Sequence, residues 1–285
     1  MVNIAGTDRI FPRRPLAPHE TQSFSADPVF RSVASAGLRL RGLLLGCLAL
    51  LFTGTHAHAQ QFNADNQLTA PHGVGTVVGT VGEEYSTAVL VAALFPDWEF
   101  NVGVTSYYGD LESQTDTHNT GTFYVKKRIF ENEQQTGGLA FMGGTGVDPS
   151  HLEAGVVTDT FKSWWGNLVY TIPFRDGQVT WDLLPGVLVN MDQDNRDDTA
   201  WGFTYSSRLA VYDVIPQSAI VAEVFGTAGE AKSDPRYRVG VRWESKKFVI
   251  AATYSDAFDG SGGAGFEIGF IYFTEPRFCF GGCRR

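Results

Sequence analysis

The chain has 285 residues, of which 19% are charged and 13% aromatic, and its formal net charge is −9. This composition, with no long charge run and no low-complexity tract, excludes an intrinsically disordered chain. No run of about 18 consecutive apolar residues occurs, which excludes a polytopic helical membrane protein. Three cysteines cannot staple a small disulfide-rich fold and do not have zinc-site spacing, so burial and hydrogen bonding must stabilise the fold.

The first 71 residues have the organisation of an export segment. Arg39 and Arg41 precede an apolar run over 42–52, and small residues follow at Ala57 and Ala59. This pattern predicts a secretory signal peptide over 36–59, cleaved after Ala59 and read by the general secretory pathway. Residues 1–35 are proline-rich and are expected to be a disordered extension or an over-extended start. Residues 60–71 are expected to be a periplasmic N-terminal segment.

Removal of the signal makes the chain more acidic. Residues 1–59 contain six basic and three acidic residues out of totals of 22 and 31, so the mature chain carries a net charge of −12. Nucleic-acid binding needs clustered Lys and Arg to displace counterions. We therefore expect no nucleic-acid partner.

From residue 72 onward the apolar residues recur with a period of two, as in β-strands. In the segment 237–244 one face is apolar and the other is polar or small. The first face reads Tyr237, Val239, Val241 and Trp243, and the second reads Arg238, Gly240, Arg242 and Glu244. Both a soluble β-sandwich and an outer-membrane barrel alternate in this way.

Connection lengths distinguish these two folds. Short turns alternate with longer loops rich in Gly, Asp and Asn, which is the topology of bacterial outer-membrane barrels. We predict an all-β, antiparallel up-and-down transmembrane barrel over 72–274 and a periplasmic tail over 275–285. The barrel is predicted to have about twelve strands; because the first segment has the weakest strand pattern, ten strands are the alternative count. A soluble periplasmic β-sandwich remains the alternative fold. The segments are 72–81, 84–95, 98–108, 121–130, 136–146, 163–174, 177–190, 200–212, 218–228, 236–244, 247–255 and 264–274.

The tryptophans cluster near predicted strand ends, as expected for two aromatic girdles at the membrane interfaces. Those near short turns are Trp98, Trp181 and Trp243, and those near long loops are Trp164, Trp165 and Trp201. Strand propensity alone is the alternative explanation.

Three stretches resemble those of uncharacterised Gram-negative outer-membrane barrels. They are Leu94-Phe95-Pro96-Asp97-Trp98, the segment 221–226 (VAEVFG) and the segment 237–243 (YRVGVRW). The relatives include transporter-like barrels of the MetA-pathway-of-phenol-degradation type. The resemblance implies an outer-membrane location and contact with the barrel-assembly machinery. The chain departs from such barrels after Phe273, where a twelve-residue tail replaces the usual terminal aromatic residue.

Charged side chains alternate into the predicted lumen. Because a buried charge is costly unless it is paired, opposite charges on neighbouring strands are expected to pair, with Arg208 opposite Glu223. Such pairs could fill a narrow barrel or form a selectivity zone for small polar or anionic solutes. The predicted lumen-lining residues are Glu99, Asp182, Arg208, Glu223, Arg238, Arg242 and Glu267, with Lys126, Arg128 and Glu244 on the same faces.

Enzyme signatures are weak. Ser150 and His151 are adjacent in a predicted loop, where neighbouring side chains diverge, so polar loop residues explain them better than a hydrolase site. Asp116 and His118 suggest an omptin-like pair, but no second carboxylate pair accompanies them. We predict that the chain is not an enzyme.

Metal and cofactor signals are also weak. Asp192, Asp194, Asp197 and Asp198 could hold Ca²⁺ or bridge lipopolysaccharide through divalent ions, but Arg196 interrupts them and no EF-hand pattern is present, so a solvated loop is favoured. Cys279 and Cys283 are expected to form a disulfide on the periplasmic side. No cofactor is expected.

The function predicted from the sequence is a narrow channel or passive transporter for small solutes. A non-conducting structural barrel, or one whose outer loops bind lipopolysaccharide or a partner, is the alternative. Outer-membrane lipid is the expected partner in both cases.

Overall fold

A computed structural model of the chain describes residues 65–108, 118–152, 160–193, 198–260 and 263–277. Its strands form a closed barrel in which each strand pairs antiparallel with its sequence neighbours, and β1 closes the barrel against β12. The prediction of an all-β barrel with twelve strands is confirmed. The first predicted segment, 72–81, which had the weakest pattern, contains a strand. The strands are β1 Gly75–Gly82, β2 Tyr85–Phe95, β3 Trp98–Tyr107, β4 His118–Glu131, β5 Gly138–Gly146, β6 Ser163–Phe174, β7 Val179–Gln193, β8 Asp198–Tyr212, β9 Ser218–Gly229, β10 Arg236–Glu244, β11 Phe248–Ala257 and β12 Gly265–Phe273.

The two ends of the barrel differ in the connections they carry. The end at which β2 joins β3, here called the short-turn end, has tight turns; at Pro96-Asp97, for example, Asp97 adopts a φ of 66° that Asp tolerates. The opposite, long-loop end carries the β3–β4 and β5–β6 connections. Glu83-Glu84, between β1 and β2, is a two-residue exception at that end. Two short 3₁₀ helices, Pro149–His151 and Arg175–Gly177, lie in connections.

The outer face is apolar on every side of the barrel. Outward residues stay exposed because the described barrel has nothing packed outside it; Leu90, Val187 and Val241, on three different strands, are each 57% exposed. Their inward neighbours are buried. An apolar surface of this extent is a membrane-contacting or partner-contacting surface rather than an ordinary solvated one. The described residues include no helix that is long and apolar enough to cross a membrane.

The prediction that Trp165 belongs to an aromatic girdle at the membrane interface is wrong. Trp164 and Trp201 lie on the outer face and are about half exposed, but Trp165 is 5% exposed and points inward. Successive residues of a strand face opposite sides of the sheet, so Trp164 and Trp165 cannot both face lipid. Trp165 packs against Tyr124, with 5.4 Å between the ring centroids.

Candidate functional site: the barrel lumen

All seven predicted lumen residues lie on the inner face of the wall. Each is between 0 and 4% exposed, as is Lys126 at 0%. Burial of so many ionisable groups requires partners, since an unpaired charge in a water-poor interior is costly. These partners come from the barrel strands, here called the wall, and from two segments outside it: the residues just before β1 and the connection between β5 and β6.

Arg208 lies between two carboxylates on neighbouring strands. In the strand register Asp182 of β7 and Glu223 of β9 both face Arg208 of β8. The Arg208 Nε and Nη2 atoms donate to Asp182 Oδ2 at 3.0 and 2.5 Å. Glu223 accepts from Ser206 Oγ at 2.7 Å. The register predicted from the sequence therefore places Glu223 correctly, while Asp182 is a partner that sequence reasoning missed.

A second cluster surrounds Arg238 on β10. Its Nε donates to Glu267 Oε2 at 2.9 Å, and its Nη1 lies 3.7 Å from Glu223 Oε2. Glu267 also accepts from the Tyr85 hydroxyl and, at 3.2 Å, from Thr253 Oγ1. Two carboxylates and a phenol thus share one buried guanidinium.

Arg242 is buried differently. Its ion pair is with Glu244 on its own strand, and its guanidinium lies 5.4 Å from the ring centroid of Tyr212. Nη2 makes that ion pair, whereas Nε and Nη1 have no hydrogen-bond acceptor among the described residues.

The segment just before β1 lies inside the short-turn end of the barrel. Asp65, Asn66 and Gln67 are each at most 4% exposed. Lys126 Nζ is 2.9 Å from Asp65 Oδ1 and donates to the carbonyl oxygen of Leu68 at 2.5 Å. We call residues 65–70 the N-terminal plug.

Two further backbone bonds hold the plug to the wall. The amide N–H of Ala70 donates to Glu99 Oε1, and that of Gln67 donates to Thr171 Oγ1 at 3.2 Å. Thr171 in turn donates to Asp182 Oδ1 at 2.5 Å, which connects the plug to the Arg208 cluster. The segment predicted to be periplasmic therefore continues into the lumen. No sequence pattern distinguishes a polar segment that enters a barrel from one that stays outside.

A second segment enters from the long-loop end. The β5–β6 connection turns inward, so that Ser150 and Leu152 are 1% and 3% exposed. Asp148 holds this turn: its carboxylate accepts from the Ser150 amide at 2.9 Å and from Asn167 Nδ2 at 2.7 Å. It also lies 3.1 Å from His151 Nδ1. We call residues 147–152 the inner loop.

Gly186 makes room for this anchoring. Asn167 of β6, Gly186 of β7 and Thr204 of β8 face one another in the register. A Cβ at Gly186 would collide with the side chains of both Asn167 and Thr204. Because glycine has no Cβ, Thr204 Oγ1 can donate to Asn167 Oδ1 at 3.2 Å across β7.

The His151 imidazole is charged more readily than an ordinary histidine. Burial lowers the pKa of His151, but the carboxylates of Asp148 and Glu223 and the hydrogen bond to Asp148 outweigh burial, so the pKa lies above its usual value. Ser150 Oγ has no hydrogen-bond partner among the described residues, so the Ser150–His151 pair does not form a nucleophile–base hydrogen bond. The geometry agrees with the interpretation of these residues as polar loop residues.

Above the inner loop lies a cavity of about 140 Å³ at the long-loop end. Asp148 and His151 of the inner loop form part of its wall, and Tyr107, Thr204 and Lys232 line the remainder. Between the inner loop and the plug, part of the lumen is apolar and packed. Its buried members are Val89, Val91, Tyr124, Ala140, Met142, Trp165, Val169 and Leu184.

Several sequence predictions lie outside the described residues. These are Cys279 and Cys283, Asp116, Asp194 and Asp197, as well as the whole signal region; the side chains of Asp192 and Asp198 are likewise not described. Within the described ranges, no group of His, Cys, Asp and Glu side chains could hold a metal ion.

No protein-family model matches the chain, and no curated protein matches it. Among solved structures, the chain is similar to an outer membrane channel from Pseudomonas putida F1, with 14% identity and a TM-score of 0.46 over 76% of this chain and 99% of that chain. It is also similar to a mutant of the Rh. blastica porin, with 9% identity and a TM-score of 0.26 over 71% of this chain and 98% of that chain. Likeness at this level indicates the barrel fold and nothing about function.

Proposed function

We propose that this protein is a bacterial outer-membrane β-barrel that acts as a narrow channel or passive transporter for small solutes. The apolar outer face and the charged inner face support a membrane barrel, because only the side that meets lipid must be free of charge. Export through the general secretory pathway, with the signal peptide over 36–59, belongs to this proposal. So do the contacts with outer-membrane lipid, lipopolysaccharide and the barrel-assembly machinery.

The single observation that carries the channel function is the way the lumen is filled. Two segments from outside the wall, the N-terminal plug and the inner loop, occupy parts of the lumen, and an apolar cluster of wall side chains packs the part between them. The plug is held by the Lys126–Asp65 ion pair and by hydrogen bonds that involve Leu68, Gln67 and Ala70. Polar contacts of this kind can be exchanged for water, which lowers the free-energy cost of displacing the plug.

The buried ion pairs favour a second candidate, the non-conducting structural barrel. Arg208 and Arg238 are both matched by carboxylates, and such networks can serve only to rigidify the interior. In that case displacement of the plug would change stability without opening a path for ions.

Single-channel recording in planar bilayers separates the two functions, with Lys126→Met as the test variant. Met keeps the volume of Lys but removes the ion pair with Asp65 and the bond to Leu68. We expect more frequent or larger openings than in the wild type. Lys127→Met is the matched control, because Lys127 is the next residue on the same strand, faces outward and lies over Trp98. The absence of conductance in all three proteins would replace the channel by the structural barrel.

A further inference from the structure

The three buried arginines on the inner wall of β8 and β10 differ in how fully they are neutralised. Arg208 donates twice to Asp182, and Arg238 is shared by Glu267 and Glu223. Arg242 has the single carboxylate of Glu244 on its own strand, whose side chain is 12% exposed.

The Arg242 guanidinium also has unused hydrogen-bonding capacity. Its side chain is 3% exposed; Nη2 contacts the Glu244 carboxylate, while Nε and Nη1 have no hydrogen-bond partner among the described residues. A guanidinium carries five N–H donors and accepts none, so only an electron-rich group can satisfy it. The donors at Nε and Nη1 therefore call for a partner beyond Glu244 that the described residues do not supply.

A cavity lies next to these donors, with a volume of about 20 Å³. Arg238, Gly240 and Arg242 follow one another on the inner face of β10 and all line this cavity. Thr253 and Glu223 close the sides. The volume suits one water-sized group, which is the size of a halide ion or a single oxygen of an oxyanion.

We propose that this cavity, the Arg242 site, binds one small monovalent anion such as a halide. The N–H groups of Arg242 are the donors, and Arg238 adds positive charge from the other side of Gly240. The carboxylate of Glu223 also lines the cavity, but it is engaged by Ser206 and Arg238. Anion binding does not depend on conduction; only the transport consequence rests on the proposed channel function.

The direct test is bromide soaking of crystals of the full folded protein, with the anomalous signal of bromide as the readout. We expect a peak beside Arg242 over Gly240 in the wild type, loss of that peak in Arg242→Gln and its retention in Arg128→Gln. Arg128 is the matched control because it faces inward near the short turns but is paired with Asp97 and Glu131, outside this cavity. Arg242→Lys keeps the charge and should restore a weaker peak if Arg242→Gln does not fold.

Two outcomes of the soak would overturn the site: no bromide in the wild type, or a peak that persists in Arg242→Gln, which would make it an adventitious ion. The transport consequence is tested by reversal potentials in a potassium chloride gradient. We expect Arg242→Gln to shift the reversal potential towards that of potassium, while Arg128→Gln leaves it at the wild-type value. If the protein does not conduct, the channel function fails while the bromide peak still decides the site. If it conducts but bromide is absent, only the site fails.

Discussion

At the scale of single residues, the coupling of Arg208 to its two neighbouring carboxylates is unequal. Asp182 accepts from two nitrogens of Arg208 and is itself fully buried, whereas Glu223 also interacts with Ser206 and Arg238. Loss of Arg208 therefore leaves Asp182 with a hydroxyl donor from Thr171 but no ion-pair partner, whereas Glu223 keeps Arg238. A carboxylate that loses its buried partner pays its full desolvation cost, which makes such a single substitution worth about 3 to 5 kcal/mol.

We predict that Arg208→Met destabilises the barrel, and that Asp182→Asn added to it costs little more. Double-mutant cycles from urea unfolding in lipid vesicles should give a larger coupling energy for Arg208 with Asp182 than for Arg208 with Glu223→Gln. The Glu223 cycle is the internal control, since both carboxylates face Arg208 from adjacent strands. Equal coupling energies would show that register, not the observed hydrogen bonds, determines the pairing.

At the scale of the strand, β10 tests which residues meet lipid. Val241 is 57% exposed on the outer face, and an arginine near the middle of an outward row costs about 2 to 4 kcal/mol. We predict this loss for Val241→Arg, measured by unfolding in lipid vesicles.

The matched control is Thr253→Arg. Thr253 lies on the adjacent strand β11, is paired in register with Gly240 and faces inward. Thr253 donates to Glu267, so an arginine there meets a carboxylate and should cost less. Gly240 itself is a poorer control than its inward position suggests, because a Cβ there would contact Thr253 and the carbonyl oxygen of Ala252. Similar losses for Val241→Arg and Thr253→Arg would mean that the register is displaced by one residue.

The same strand shows why alternation predicts a wall but not its filling. The period-two pattern assigns Arg238 and Arg242 to one face because a strand allows no other choice. The plug and the inner loop have no period, and their positions depend on contacts such as Asp65–Lys126, which join residues 61 positions apart. The polar groups of these two segments could hydrogen-bond to water equally well, so the partners of Asp65 and Asp148 could not be predicted from the sequence.

At the scale of the whole molecule, closure of the barrel determines how the proposed membrane attachment would work. Pairing of β1 with β12 leaves no sheet edge, so every strand can satisfy its backbone within the wall while its apolar side chains face outward. Attachment then depends on apolar area, which salt does not weaken, rather than on charge, which salt screens.

We therefore predict that membranes washed with concentrated salt retain the protein and that detergent releases it. A peripheral protein bound through lipopolysaccharide-bridging ions provides the comparison, because salt and a chelator together should remove it from the same membranes. The mature chain is acidic, so electrostatic attachment to an anionic surface would be weak in any case. Release of this protein by salt without detergent, detected by immunoblot of the wash, would contradict a membrane-spanning barrel. The outward apolar rows would then have to be covered by another protein chain instead of lipid.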